Sequence, residues 1–168
     1  MFQMDQSQLS NRELKRLQEL KETIVKNTYE IRCEVLPGGK IPEKAHASDA
    51  GFDVFATEDI VIKKGEMVKH PLNIKLDIPT GAYLHLHVKS GLGSKGMAIT
   101  SCVIDQGYRG IPHVVATCLV DEPIEIKKGQ KLAQLVPYPF STDYYFEQVQ
   151  KVEESTDRGD GGFGSTGA

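Results

Sequence analysis

The sequence predicts an all-β domain, and three observations predict it. Short runs rich in Val, Ile, Leu, Thr and Tyr recur from Glu30 to Val152. Dividers such as Pro37-Gly38-Gly39, Lys64-Gly65, Pro79-Thr80-Gly81 and Lys128-Gly129 separate them, each suited to a tight connection. No helical periodicity intervenes between these runs. Many short strands without helices between them make a sandwich, a jelly roll or a barrel. At 168 residues, with 39% hydrophobic and 26% charged side chains, the chain suits one such domain with a real core.

The first element stands apart from the rest. Over Ser7 to Asn27 the spacing predicts a helix: Ser10 and Glu13 form a capping box, and Leu9 with Leu14 a hydrophobic staple. Leu14, Leu17, Leu20 and Ile24 follow three or four apart, a narrow apolar stripe that must lie against its own domain or a neighbouring subunit. From Glu30 the period changes to two. Ile31, Cys33 and Val35 alternate with Arg32 and Glu34 as a half-buried strand. Further strands are expected at Asp53–Phe55, Ile60–Ile62, Met67–His70, Asn73–Ile78 and Ala82–Lys89. Met97–Ile104, Ile111–Val120, Ile124–Ile126, Lys131–Pro137 and Tyr144–Val152 complete the series. Glu153 to Ala168, with five glycines in the last ten residues, cannot build a core and is expected to be a flexible arm.

Composition narrows the partners. A net charge of −3 gives no global attraction for nucleic acid or an anionic membrane, so an anionic small molecule would need local cations or a metal. Cys33, Cys102 and Cys118 are odd in number and lack metal-type spacing, which points to buried free thiols in a reducing compartment. No run has transmembrane length and the N-terminus lacks a signal peptide's apolar region, so a cytoplasmic protein is expected.

Five stretches carry possible chemistry. The central one is Cys102-Val103-Ile104-Asp105-Gln106-Gly107-Tyr108-Arg109-Gly110, read as the connection of a β-hairpin between Met97–Ile104 and Ile111–Val120. Its free backbone groups can read the edge of a flat heterocycle, Tyr108 supplies a ring, and Asp105 can act as general base toward a water. Ser48-Asp49-Ala50-Gly51-Phe52-Asp53 puts two carboxylates around a glycine, fit to orient a hydrated metal ion or to cap a turn. Val88 to Gly96 leaves a strand and turns rich in Gly, Ser and Lys, an anion nest in outline but without the spacing or the helix of a P-loop. His85 and His87 share one strand face, and a metal site with His113 is conceivable. Finally, Arg158 to Gly167 combines a cation, an aromatic and two hydroxyls, the makings of a clamp on phosphate and base.

In this order the stretches resemble the trimeric dUTP diphosphatase (dUTPase) family. Its five motifs look like Ala50-Gly51-Phe52-Asp53, Lys89-Ser90-Gly91-Leu92, Val103 to Gly110, Gly129-Gln130-Lys131-Leu132-Ala133-Gln134-Leu135, and Arg158 to Gly167. The resemblance implies a jelly-roll-like β-clip subunit, a homotrimer with active sites shared between subunits, and hydrolysis of dUTP to dUMP and pyrophosphate. It implies Mg²⁺ held by the triphosphate and its waters, with no direct protein ligand. Residues 1–29 would be an N-terminal helical extension, 30–152 the dUTPase-like core, and 153–168 an arm closing over an active site.

Carried over by position, Asp105 would activate the attacking water and Tyr108 would lie under the deoxyribose. Val103 and Ile104 would hydrogen-bond uracil through the backbone. Lys89, Ser90, Gly91 and Gln134 would contact phosphates, Arg158 the γ-phosphate, and Phe163 the uracil, with Gly164, Ser165 and Thr166 completing the arm's contacts. Asp53 would support the metal-water network. The departures are Lys89 where the family usually has Arg, Gly107 in place of an acid, and Gln130-Lys131 in place of an acid-Arg pair. A dCTP deaminase or bifunctional deaminase/dUTPase of the same fold, and a non-catalytic nucleotide-binding regulator, are the alternatives.

Overall fold

The computed structural model describes residues 10, 12–16 and 29–152. At its start the capping box is in place. Ser10 Oγ donates to Glu13 Oε2 at 2.6 Å, the Ser10 N–H donates to the same oxygen at 2.9 Å, and residues 12–16 are helical. The remainder of the expected helix lies outside the described residues, as does the arm 153–168.

The all-β expectation holds, and among the described residues the core is built from eleven strands. A four-stranded antiparallel sheet runs in the order β2 (Phe52–Phe55), β11 (Lys131–Pro139), β6 (Ala82–His87), β8 (Val103–Ile104). A three-stranded sheet is ordered β4 (Met67–Pro71), β9 (His113–Cys118), β7 (Met97–Ile99). Two antiparallel pairs complete it: β1 (Arg32–Val35) with β5 (Ile74–Asp77), and β3 (Ile60–Ile62) with β10 (Ile124–Ile126). Strand β6 explains the arrangement in miniature. Ala82, Leu84 and Leu86 are buried while Tyr83, His85 and His87 turn to the opposite face, the period of two that a strand imposes. The buried residues of both sheets and both pairs merge into one cluster, with Ile62, Ile74, Leu84, Ile126 and Leu135 among its fully enclosed members.

Four details differ from the sequence expectations. The run 97–104 is not one strand. After Ile99 pairs with Ala116, Ser101 Oγ takes over the ladder, accepting from the Val115 N–H at 3.0 Å and donating to the His113 carbonyl at 3.1 Å. The chain then crosses to the other sheet, where Val103 and Ile104 pair with His85 and Leu84, so the segment between β8 and β9 joins the two sheets and does not close the expected hairpin between adjacent paired strands. Residues 144–152 pair with no strand among the described residues, and Tyr144, Tyr145 and Phe146 are 89%, 82% and 108% exposed. Ser90–Gly93 winds into one helical turn. Of the cysteines, all three free, Cys118 alone is buried; Cys33 and Cys102 are half-buried.

Candidate active site

The sequence-selected residues fall into two groups on one sheet. The first is built where β2, β11 and the end of β6 meet. Gln134 stands opposite Asp53 on one side and His87 on the other. Asp53 is 4% exposed, and both its oxygens are taken: Oδ1 by the Lys89 ammonium and Oδ2 by Lys131 Nζ at 2.7 Å. Burial alone would raise the Asp53 carboxyl, but hydrogen bonds from Lys131 and Lys89 outweigh it and hold the group below its ordinary range. The hydrogen bond to Asp53 raises Lys131 in turn. A metal-water role for Asp53 would have to compete with these two ammonium groups. Gln134 Nε2 donates to the Val88 carbonyl at 3.4 Å, and its Oε1 lies where a side chain on residue 51 would start, 2.6 Å from an ideal Cβ. A larger residue there would have to displace the Gln134 amide. Ser90 and Gly91 follow Lys89 directly, exposed at the start of the helical turn.

Lys131 was not among the selected site residues, and the reason is geometric. Strict alternation puts residues 131 and 134 on opposite faces. A β-bulge between Lys131 and Ala133 inserts Leu132 as an extra residue, shifts the parity, and delivers Lys131 to the Asp53 side. No local composition signal marks that bulge.

The second group is the tip that carries Asp105. β8 is the last strand of its sheet, so one of its backbone edges is open among the described residues. The Leu86 N–H donates to the Cys102 carbonyl at 2.7 Å, which makes 86/102 and 84/104 the bonded pairs. By alternation the N–H and C=O of Val103 point away from β6, toward the open edge. Beside them lies a cavity of about 270 Å³ lined by Val103, Ile104, Asp105, Tyr108, Lys69 and His113, among others. The Asp105 carboxylate is exposed and has no hydrogen-bond or ion-pair partner among the described residues. Tyr108 donates its hydroxyl proton to the Ile111 carbonyl at 3.2 Å, and its ring folds so tightly over Gly110 that an ideal Cβ there would sit 2.4 Å from the phenol oxygen.

The tip is anchored from below by residues that local sequence could not place. Arg109 donates to the Gln106 carbonyl at 2.8 Å and to Asp77 Oδ1 at 2.7 Å, and Asp77 also pairs with Arg32. Gln106 Oε1 accepts from the Gly81 N–H at 3.1 Å. The third histidine does not join the pair: His113 lies in the other sheet and its Nδ1–H donates to the Ile111 carbonyl at 2.8 Å. His85 and His87 have ring centroids 4.4 Å apart; burial, then the neighbouring His85, holds His87 below its ordinary value. Among the described residues no three His, Cys, Asp or Glu are placed to hold a metal ion.

The two groups are far apart within one chain. Lys89 lies two residues beyond His87, while Asp105 follows Val103, which stands opposite His85. Asp105 is therefore level with Tyr83, six residues from Lys89 along β6, and ideal strand spacing makes that roughly 20 Å.

Residues 38–167 match the family model described as dUTPase. The chain belongs to the dUTPase family. A deoxyuridine 5'-triphosphate nucleotidohydrolase of Nocardia farcinica is 37% identical over 138 residues, 78% of this chain and 81% of that protein. The Staphylococcus bacteriophage 80alpha dUTPase solved with dUPNHPP superposes with a TM-score of 0.75 at 28% identity, covering 84% of this chain and 100% of that one. A variant dUTPase of phage phi11 of S. aureus, described with a structural Mg(II) ion, superposes with a TM-score of 0.63 at 27% identity, covering 74% and 98%. The arm residues Arg158, Phe163, Gly164, Ser165 and Thr166 fall outside the described residues, although the family match runs through them.

Proposed function

We propose that this chain hydrolyses dUTP to dUMP and pyrophosphate through attack of water on the α-phosphorus, at sites assembled between the subunits of a homotrimer. The observation that carries the reading is the unpartnered Asp105 carboxylate beside the open edge of β8, at the place where the dUTPase family has its general base. The relatives named for dUTP hydrolysis, and a structural neighbour that binds the dUTP analogue dUPNHPP, support the substrate.

Each residue then has a task that follows from its position. Val103 presents one N–H donor and one C=O acceptor, the complement of a uracil edge, while Ile104 holds the strand in place by pairing with Leu84. Tyr108 lies where a deoxyribose would stack and leaves no polar partner for a ribose hydroxyl. Asp105 accepts a proton from the attacking water. Lys89, Ser90, Gly91 and Gln134 bind phosphate oxygens, and the arm closes over the nucleotide through Arg158, Phe163, Gly164, Ser165 and Thr166.

The separation of about 20 Å on ideal strand spacing means that Asp105 and Lys89 of one chain cannot reach the same phosphate, so a complete site needs two copies. The exposed aromatic segment Tyr144-Tyr145-Phe146 supports assembly too, since apolar surface of that kind belongs at an interface. For the metal, the oxygen donors are the triphosphate's own: Mg²⁺ keeps several waters and prefers substrate phosphates to an all-protein cage. It would neutralise charge on those oxygens. A cytoplasmic location fits the free thiols, and no helix among the described residues is long and apolar enough to cross a membrane.

Pyrophosphate release from dUTP, dCTP, dTTP and UTP, with and without Mg²⁺ and with ammonia measured alongside, is the direct test. Release confined to dUTP is expected. Ammonia from dCTP would move the chain to the deaminase branch of the fold, and no release from any nucleotide would leave it a binding protein.

A further inference from the structure

The loop after β8 is stiffened unevenly. Its turn, Asp105 to Tyr108, is closed by the Tyr108 N–H donating to the Asp105 carbonyl at 3.0 Å. Gly107 stands third in that turn. Its φ lies outside the left-handed region, and a Cβ built on it meets nothing within 4 Å. The backbone therefore does not require glycine at this point, and a glycine leaves the turn the most freedom. Side chains supply the restraint that residue 107 withholds. Arg109 donates from one guanidinium nitrogen to the Gln106 and Tyr108 carbonyls, at 2.8 and 3.2 Å, and so grips the loop on either side of Gly107. Its other terminal nitrogen donates to Asp77 Oδ1 at 2.7 Å, at the end of β5. Asp77 is held in turn by Arg32, its partner in register on β1. Arg32, Asp77, Gln106 and Arg109 line a cavity of about 470 Å³ beneath the loop, so polar bonds and not close packing hold that side.

We propose that Asp77, oriented by Arg32, is a positioning residue for the general base: acting through Arg109, it fixes the turn that carries Asp105 and replaces the backbone restraint that Gly107 lacks. The inference rests on the dUTP reading and deepens it by naming what aims its base. A base works only within hydrogen-bond reach of its water, and ångström-scale misplacement lowers turnover steeply. Arginine suits the link, because one rigid planar group addresses two carbonyls and a carboxylate at once. The exposures rank the two ion pairs. The Arg32 side chain is 74% exposed and that of Arg109 57%, so water screens the outer pair more than the inner one. Arg32 also precedes residue 38, where the family match begins, so the outer link comes from this chain's own first strand.

An ion pair that served only the scaffold would affect stability whatever stood at residue 107. Steady-state hydrolysis of dUTP by wild type, Asp77→Ala, Asp77→Glu, Gly107→Ala and the double variant Asp77→Ala/Gly107→Ala separates the cases. Affinity for dUPNHPP, melting temperature and oligomer mass are measured on each. Asp77→Ala should lower kcat by about tenfold. It should weaken dUPNHPP far less, because Val103 stays in the pairing of β8 with β6. Asp77→Glu keeps the carboxylate and should retain most of the activity. Gly107→Ala alone should leave kcat near wild type, and in the Asp77→Ala background it should restore most of the loss, since alanine narrows the turn's freedom. Unchanged kcat in Asp77→Ala, or a loss that Gly107→Ala does not recover, overturns the proposal while the dUTP reading stands. So does failure of Asp77→Ala to fold or to keep its oligomer mass, because Asp77 would then serve the scaffold. Wild-type protein that hydrolyses no dUTP overturns the functional reading, and this proposal with it.

Discussion

The two halves of the site are built on opposite plans. Around Asp53 the strong groups are engaged: the carboxylate on two lysines and Gln134 on the Val88 carbonyl, with its amide oxygen close over Gly51. In the loop that follows β8 the anchoring groups are engaged while the groups proposed to do chemistry are not. Arg109 and Gln106 tie the loop to Asp77 and Gly81, leaving the Asp105 carboxylate and the outward edge of Val103 unpartnered. A phosphate clamp works by presenting charge in a fixed place, so it can be closed on itself beforehand. A general base and a base-reading edge must keep their lone pairs and protons for the substrate.

The largest expected effect breaks the open half. Asp105→Asn keeps size and hydrogen bonding but removes the proton acceptor, and a positioned base contributes about 10²–10⁴-fold. Turnover of dUTP should fall by that order with dUPNHPP affinity and melting temperature unchanged; near-wild-type turnover would remove Asp105 from the mechanism. Next comes Gly110→Ala. A methyl group there collides with the Tyr108 ring and must displace it, so under the proposed sugar contact a ribose hydroxyl would no longer be buried without a partner. That penalty is about 1–3 kcal/mol, so the dUTP/UTP ratio of kcat/KM should narrow by roughly tenfold or more. An unchanged ratio places sugar selectivity elsewhere.

A third measurement separates both halves from the scaffold beneath them. His70 is 3% exposed and its Nε2 accepts from the Thr57 N–H at 2.9 Å, so the folded protein needs it neutral, and burial lowers its pKa. The unfolded chain binds that proton more readily, near the ordinary value of about 6.5, so folding stability is full above that pH and declines as pH drops through it. His70→Gln should flatten the decline of melting temperature between about pH 7.5 and 5.5. A wild-type melting temperature constant over that window would contradict the assignment. The smallest effect is expected from Lys89→Arg, since a guanidinium can hold Asp53 with one edge and a phosphate with another. Activity within a few-fold of wild type is expected, and a collapse of dUTP hydrolysis would show that the ammonium's compact shape matters.

Much of this was legible in the residues. Alternation exposed β6 and β9, and glycine-bearing dividers fell at the turns, because both are local consequences of strand geometry. The motif residues were legible as a set because their order along the chain is specific. What escaped was decided across strands. The crossing at Ser101 depends on a hydroxyl replacing a backbone ladder. The arrival of Lys131 at Asp53 depends on one extra residue in β11. The anchoring of Asp105 depends on Arg109 meeting Asp77, 32 positions earlier. None of these leaves a pattern within a short window.

The aromatic triplet at 144–146 bears on the chain before it finds any neighbour. Three consecutive exposed aromatic side chains in a segment that joins no strand among the described residues are the kind of stretch that stacks with copies of itself into cross-β aggregates. Here Asp143 precedes the triplet and Glu147 follows it, both exposed. In-register stacking would bring like charges together every 4.7–4.8 Å at both ends of the sticky stretch. Such flanking charges act as gatekeepers. Their like-charge repulsion opposes stacking of the exposed triplet, and both lie outside the buried core.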